Sequence, residues 1–142
     1  MIEGKGAKIT GGKKTRVKIT TPSEWCLYYG VKVKNGMALL YKALDDNFMS
    51  PHGMSYAPGT TPVAPDWDGG KRECGLGLHF SPRPAMAREF NDAATKYCGC
   101  WVKLTDMAIH PNGDSPQKCK ARAVAKSCFE VDEDGEPMEN KS

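Results

Sequence analysis

The dipeptide Asn35-Gly36 lies between two strand-like runs and commits this part of the chain to an antiparallel hairpin. Residues 31–34 alternate apolar and basic side chains, and residues 37–44 are mostly apolar. An Asn-Gly pair favours a type I′ turn because both turn residues adopt positive φ. Since the second run is apolar on both faces, we expect it inside a sheet rather than at its edge.

A short helix is predicted directly before this hairpin. Thr21 is suited to cap the free N–H groups, Pro22 to occupy the first helical position, and Glu24 to complete a capping box. Gly30 is a suitable C-terminal stop. Because a helix of about two turns gains little from propensity, it must be held by packing, with Trp25 as an anchor.

Residues 45–73 differ in character, since they contain four prolines and four glycines. We predict a long structured loop here, and loops of this length in a compact domain are commonly functional or mobile. Trp67 is a large apolar side chain in this polar stretch. It either anchors the loop to the core or contacts a ligand.

The second half of the chain reads as a strand–helix unit followed by further strands. A short strand over residues 76–81 is predicted to lead into a helix capped by Ser81 and running to about Tyr97. Residues 98–104 read as a strand. Residues 118–123 read as a last strand, with Lys118 and Lys120 on its outer face and small side chains on its inner face.

These elements predict one small α+β domain. The expected architecture is an antiparallel or mixed sheet of four to six strands, with two helices and the long Pro/Gly-rich loop. A chain of 142 residues and 15.5 kDa has room for a single core. We place the domain at residues 21–136, between a basic flexible arm (residues 1–20) and an acidic flexible tail (residues 137–142).

Composition restricts the class of protein further. There is no apolar run long enough to span a membrane, and no apolar run follows the basic residues at the start, as a secretory signal would require. Six cysteines are too few for a disulfide scaffold in a chain of this length. The sequence therefore predicts a cytoplasmic protein with reduced thiols and no membrane partner.

Charge is concentrated at the two ends. Residues 1–20 carry six basic side chains against one acidic, and residues 130–142 carry six acidic against one basic. The glycine-rich arm cannot bury enough apolar surface to become ordered by itself. It is a weak candidate for phosphate contacts with nucleic acid, because no aromatic residue is present for base stacking.

The strongest functional candidate is the glycine turn that enters the strand after the loop. Gly75 and Gly77 allow a ligand or another backbone to approach closely, and His79 and Ser81 project to the same side of the strand around Phe80. The alternative is an ordinary tight turn with a capping serine.

Two further chemistries use the same segment. Cys74 and His79, together with Cys98 and Cys100, are a possible set of zinc ligands, but their spacing differs from that of zinc knuckles. We therefore predict buried free thiols and no metal. Nucleophilic catalysis by Cys74 or Ser81 with His79 lacks an identifiable orienting carboxylate.

The run Gly75-x-Gly77-x-His79-Phe80-Ser81 resembles a signature of ADP-ribosyltransferase folds, in which such a turn and strand hold the nicotinamide end of NAD. The resemblance implies a site that also includes Tyr41 and Lys42, with Glu130 as the catalytic glutamate and NAD as cofactor.

A broader resemblance covers about residues 21–135. The segments 40–44, 58–67 and 74–82 resemble small proteins of mycobacteriophages and related actinobacteriophages, a family without an assigned function. This implies a phage product made in the cytoplasm of an infected bacterium. The leading hypothesis is an accessory protein without catalytic activity or cofactor. It would bind a host or phage macromolecule through the loop around Trp67 and the rim near His79.

Overall fold

The computed structural model describes residues 19–67, 69 and 77–138. Within these residues the chain forms two helices and seven strands, with a short 3-10 turn at Leu104–Asp106. In chain order they are α1 (Pro22–Tyr29), β1 (Val33–Lys34), β2 (Met37–Leu44), β3 (Leu78–Phe80), α2 (Pro84–Arg88), β4 (Lys96–Lys103), β5 (Met107–Ile109), β6 (Cys119–Ala121) and β7 (Phe129–Val131).

The larger sheet has four antiparallel strands in the order β1-β2-β4-β7. The predicted hairpin is confirmed: Asn35 and Gly36 have φ values of 54° and 76°, and Lys34 pairs with Met37. Strand β2 pairs with β4 over its whole length, from Met37 opposite Lys103 to Leu44 opposite Lys96. Strand β2 therefore lies between β1 and β4, as predicted, although β1 pairs with only its first two residues.

The smaller sheet has the order β3-β6-β5, also antiparallel. The predicted α+β class with two helices is confirmed. Its seven strands are divided between two sheets, whereas we expected one sheet of four to six strands. Strands β5 and β7 are each three residues long, so neither produces the alternation by which strands are recognised in a sequence.

The main core lies between the two sheets and α1. It includes Leu40, Cys100 and Val102 from the larger sheet, and Phe80 and Cys119 from the smaller one. The opposite face of the larger sheet is covered by α2 and the turn after it, in a second apolar cluster. Both faces of β2 and β4 are thus buried, which explains their apolar composition.

Helix α1 forms for the predicted reasons. The Thr21 hydroxyl accepts a hydrogen bond from the Glu24 N–H (3.2 Å), and the Glu24 carboxylate accepts one from the Thr21 N–H (3.1 Å). Gly30 ends the helix in the left-handed region, at φ 70°. Trp25 is fully buried, and its indole N–H donates to the carbonyl of Pro116 (2.8 Å).

The second helix differs from the prediction. Helix α2 begins at Pro84 and ends at Arg88, and Ser81 does not cap it. The backbone of Ser81 instead pairs with Tyr41 on β2, so the chain is still extended at that point. The strand predicted from residue 98 begins earlier, at Lys96.

The prediction for the last strand also needs correction. Lys120 was expected on an outer face but is fully buried. Strand β6 lies between β3 and β5, and the Lys120 side chain runs beside Gly77, where an added Cβ would lie 3.2 Å from Lys120 Cε. Both faces of β6 are therefore covered.

The ends of the described region are integrated into the domain. Ile19 packs against the main core, and the chain after β7 folds back, with Pro137 opposite Val131 and the Met138 N–H donating to the carbonyl of Glu130 (2.9 Å). The rest of the predicted arm and residues 139–142 of the tail lie outside the described residues. Among the described residues, no helix has the length and apolar character needed to cross a membrane.

Candidate functional site

A cavity of about 320 Å³ lies where the two sheets meet. Strand β1 pairs with only the first two residues of β2, and the Leu39 N–H donates to the carbonyl of Lys32 (2.9 Å), so the β2 edge is open beyond Leu39. At Tyr41 this edge is joined by Ser81 through two backbone hydrogen bonds of 2.9 and 3.1 Å. The bridge brings together five residues that the sequence analysis selected: Tyr41, Lys42, His79, Phe80 and Ser81.

The rest of the lining comes from three separate segments. The Pro/Gly-rich region contributes Pro51 and His52, α2 and the turn after it contribute Phe90 and Asn91, and Lys118 lies just before β6. Asn91 also caps the β2 edge, because its side-chain amide donates to the carbonyl of Ala43 (3.1 Å). The cavity therefore lies between the Pro/Gly-rich region, the strand edge and α2.

Lys42 is a half-buried charged residue at this junction. Its Nζ donates to the carbonyl oxygen of His79 (2.7 Å) and lies 5.3 Å from the centre of the Tyr56 ring and 6.0 Å from that of Phe80. Burial among these groups lowers its pKa to about 8, and the nearby ammonium of Lys118 acts in the same direction.

The charged and titratable groups around the cavity are basic. Lys42, Lys118, His52 and His79 line it, and within the described part of the chain no aspartate or glutamate does so. The Lys118 Nζ lies 5.4 Å from the centre of the Phe90 ring, so cation and apolar surface are adjacent. This arrangement is suited to an anionic group carried on a partly apolar ligand.

His79 and Ser81 differ in exposure. His79 is half-buried and Ser81 is buried, with 3% of its surface exposed. His79 holds Lys42 through its backbone carbonyl. Ser81 contributes its backbone to the junction of the sheets and adds a hydroxyl-bearing residue to the cavity wall.

Trp67 and Gly77 lie outside the cavity lining. Gly77 has φ +93°, and a Cβ added there would lie 2.9 Å from the Trp67 ring. Trp67 thus packs on the glycine turn and on the main core, which corresponds to the anchoring role considered for it. Gly75 lies outside the described residues.

Glu130 lies at the opposite edge of the larger sheet. It sits on β7 opposite Cys98, while Cys98 in turn pairs with Lys42, so β4 separates the glutamate from the cavity. Its carboxylate is 3.7 Å from the Lys96 ammonium, and it does not line the cavity. The geometry therefore does not bring the implied catalytic glutamate to the residues implied to hold NAD.

Five described cysteines are buried free thiols. Burial raises the pKa of Cys26 to about 11 and that of Cys98 to about 12. The sulfurs of Cys100 and Cys128 lie 3.6 Å apart. Among the residues that the structure describes, no group of three or more His, Cys, Asp or Glu side chains is arranged to hold a metal ion. Cys74, from the possible zinc set, is not among them.

A wider groove lies against the other face of the larger sheet. Its volume is about 450 Å³, and Tyr41, Trp101 and Phe129 form its aromatic floor. The rim carries both signs of charge: Lys32 and Arg83 against Asp134 and Glu136. Apart from Tyr41, none of the residues selected from the sequence lines it.

Sequence reasoning missed His52, Phe90, Asn91 and Lys118 as cavity residues. They come from parts of the chain up to 66 residues apart and share no motif. Lys118 is the first residue of the predicted strand 118–123, and the alternation of that strand placed it on the outer face. Their convergence results from the pairing of β3 with β6 and from the packing of α2 on β2.

Comparison of the chain with models of protein families, with curated proteins and with solved structures found no match in any of the three. The function is therefore inferred from the cavity and its lining residues.

Proposed function

We propose that this chain is a non-catalytic accessory protein that binds a host or phage protein in the cytoplasm of an infected bacterium. The cavity at the β2 edge receives an acidic group of that partner. The observation that carries the proposal is the basic lining of the cavity, formed by Lys42, His52, His79 and Lys118 without a described carboxylate.

The position of the cationic groups supports a docking role. Lys118 and His52 come from separate segments of the chain and line the same cavity as Phe80 and Phe90. A carboxylate entering here would find a fixed positive potential next to apolar surface, which favours both fast encounter and a defined orientation. His52 is exposed, so it would be the first basic group that an approaching partner meets.

The setting comes from the sequence resemblance to actinobacteriophage proteins. The opposite charges of residues 1–20 and 130–142 supply additional surfaces through which a partner protein could be steered. Contact of residues 1–20 with nucleic acid is the weaker possibility, for the lack of aromatic residues noted above.

The proposal predicts that reversing the charge of Lys118 weakens partner binding. Full-length wild type, Lys118→Glu and the control Lys103→Glu are each used to recover partners from nuclease-treated lysate of infected cells. Lys103 is exposed at the far end of β4. For the recovered protein we expect affinity for Lys118→Glu to fall at least about tenfold, a loss of about 1.4 kcal/mol, and Lys103→Glu to bind as wild type. Circular dichroism checks the fold of each variant.

Two results would overturn this proposal. One is a partner that binds wild type and Lys118→Glu equally well. The other is a partner that wild type recovers from a parallel sample of untreated lysate but not from nuclease-treated lysate, which would assign the interaction to nucleic acid.

The second candidate function is NAD binding by an active or degenerate ADP-ribosyltransferase-like protein. Its support is the convergence of Tyr41, His79, Phe80 and Ser81 on one cavity. Calorimetry with NAD, on wild type, His79→Ala and Glu130→Gln, tests it. This candidate predicts binding heat that is lost in His79→Ala. Glu130→Gln is expected to retain binding, because Glu130 lies outside the cavity lining, and absence of heat with wild type would exclude the candidate.

A further inference from the structure

The amino group of Lys42 occupies an unusual position for a lysine. Lys42 lines the cavity, and its Nζ lies 5.3 Å from the centre of the Tyr56 ring and 6.0 Å from that of Phe80. These two rings pack edge to face, with centres 5.9 Å apart. The hydrogen-bond partner of the amine is a neutral carbonyl, that of His79.

Two features of the surroundings of the Lys42 amino group favour its neutral form. Removal from water penalises the ammonium form, and Lys118 adds a like charge across the cavity. Together they lower the pKa of Lys42 to about 8. Desolvation together with a neighbouring cation is the combination that makes a lysine a usable nucleophile near neutral pH.

The cavity that Lys42 lines has space for a small reactant. Its volume of about 320 Å³ is roughly ten times the share of liquid volume taken by one water molecule. Phe80, Phe90 and Ala87 provide apolar walls, while Lys118 and His52 add basic side chains to the same lining. A small molecule with a carboxylate next to a carbonyl matches both halves of this lining.

We propose that Lys42 is a nucleophilic amine that condenses reversibly with the carbonyl carbon of a small α-oxo acid bound in this cavity. The inference rests on the proposed function in one respect, since it uses the same basic lining for the carboxylate. It goes beyond that function by assigning covalent chemistry to one side chain.

The condensation balances without an added oxidant or reductant. The lone pair of the neutral amine forms a C–N bond to the carbonyl carbon, and the π electrons of the carbonyl move to its oxygen. The two protons of the amine are transferred to this oxygen, which leaves as water, and the nitrogen and carbon are then joined as an imine. Hydrolysis reverses each step.

The test uses full-length wild-type protein, pyruvate as the probe and cyanoborohydride to reduce any imine to a stable amine. Peptide mapping at pH 8 compares the rate of adduct formation at Lys42 with that at exposed Lys103 in the same sample. At this pH roughly half of the Lys42 amines would be neutral, against less than about one in a hundred for a lysine of ordinary pKa. After allowance for the lower basicity of Lys42, we expect its adduct to form at least about tenfold faster.

Two controls define the chemistry. Acetone is a ketone without a carboxylate and is intrinsically less electrophilic than pyruvate, so each rate at Lys42 is divided by the rate at Lys103 with the same reagent. We expect this relative rate to be several-fold lower with acetone than with pyruvate. Lys118→Met removes a cation that favours both the neutral amine and the bound carboxylate, and is expected to slow the reaction with pyruvate several-fold. Neither control requires Lys42 itself to be replaced.

Labelling of Lys42 no faster than that of Lys103 would overturn the inference, as would equal relative rates with pyruvate and acetone. These results are independent of the partner experiment. If Lys42 is unreactive while Lys118→Glu still loses the partner, the proposed function stands without the imine. If Lys42 reacts while partner binding is insensitive to Lys118, the imine chemistry stands and the proposed docking function is overturned.

Discussion

Replacement of Trp25 by alanine is expected to lower the free energy of unfolding by about 3 to 5 kcal/mol. The side chain is fully buried in the main core, and its indole N–H donates to the carbonyl of Pro116 across the interface with the smaller sheet. The ring also packs against Tyr29, with centres 5.1 Å apart. Since α1 has only eight residues, it has little stability of its own to replace this anchor. Urea denaturation followed by circular dichroism measures the change.

Leu27 provides the matched control for this prediction. It lies on the same helix, but 84% of its surface is exposed, so Leu27→Ala should change the free energy of unfolding by no more than about 0.5 kcal/mol. Trp25→Phe separates the two contributions, because it keeps an aromatic ring but loses the hydrogen bond to Pro116. Equal effects of Trp25→Ala and Leu27→Ala would mean that α1 is not anchored as described.

The elements predicted correctly are those whose signals are local. The hairpin follows from the positive φ of Asn35 and Gly36, and α1 from a capping box within four residues. Both signals depend only on residues that are neighbours in the sequence. Strand β4 was recognisable for a related reason, since apolar side chains follow one another along it.

The errors arise where tertiary contacts override local preference. The alanine-containing segment after Ser81 has the pattern of a longer helix. However, pairing of Ser81 with Tyr41 keeps the chain extended before α2 begins. Lys120 has the charge of a surface residue but is buried, because its side chain lies beside the glycine turn at Gly77. Neither partner lies near in the sequence, so periodicity could not reveal either outcome.

The candidate site was predictable only in part, for the same reason. His79, Phe80 and Ser81 follow one another on a single strand, and Tyr41 and Lys42 on another, so each group could be selected as a unit. Their meeting depends on one backbone bridge between residues 40 positions apart. Lys118 and His52 reach the cavity through sheet pairing and loop packing, for which the sequence carries no short-range signal.

Substitution of Lys42 by methionine is expected to remove a rise in the free energy of unfolding that the wild type shows as pH increases. Burial lowers the pKa of Lys42 to about 8 in the folded protein, whereas an unfolded lysine titrates near 10.4. Between these pH values the unfolded chain binds a proton that the folded protein has released. The free energy of unfolding of the wild type therefore increases with pH. Relative to Lys42→Met, we expect the wild type to gain about 2 to 3 kcal/mol between pH 7 and pH 10.

Other groups titrate in the same range and are removed by comparing the two proteins. The buried thiols of Cys26 and Cys98 have raised pKa values, so they contribute stability below the ordinary thiol pKa and lose it as pH rises. This loss is common to wild type and Lys42→Met and therefore cancels in the difference between their unfolding free energies.

Urea denaturation at pH 7, 8, 9 and 10 gives that difference. Exposed Lys103→Met is the matched control, for which we expect a difference from wild type that does not change with pH. If the difference in unfolding free energy between wild type and Lys42→Met also does not change with pH, the Lys42 amine is not desolvated. The neutral nucleophile proposed above would then have no physical basis, even if the cavity still accepts an anion.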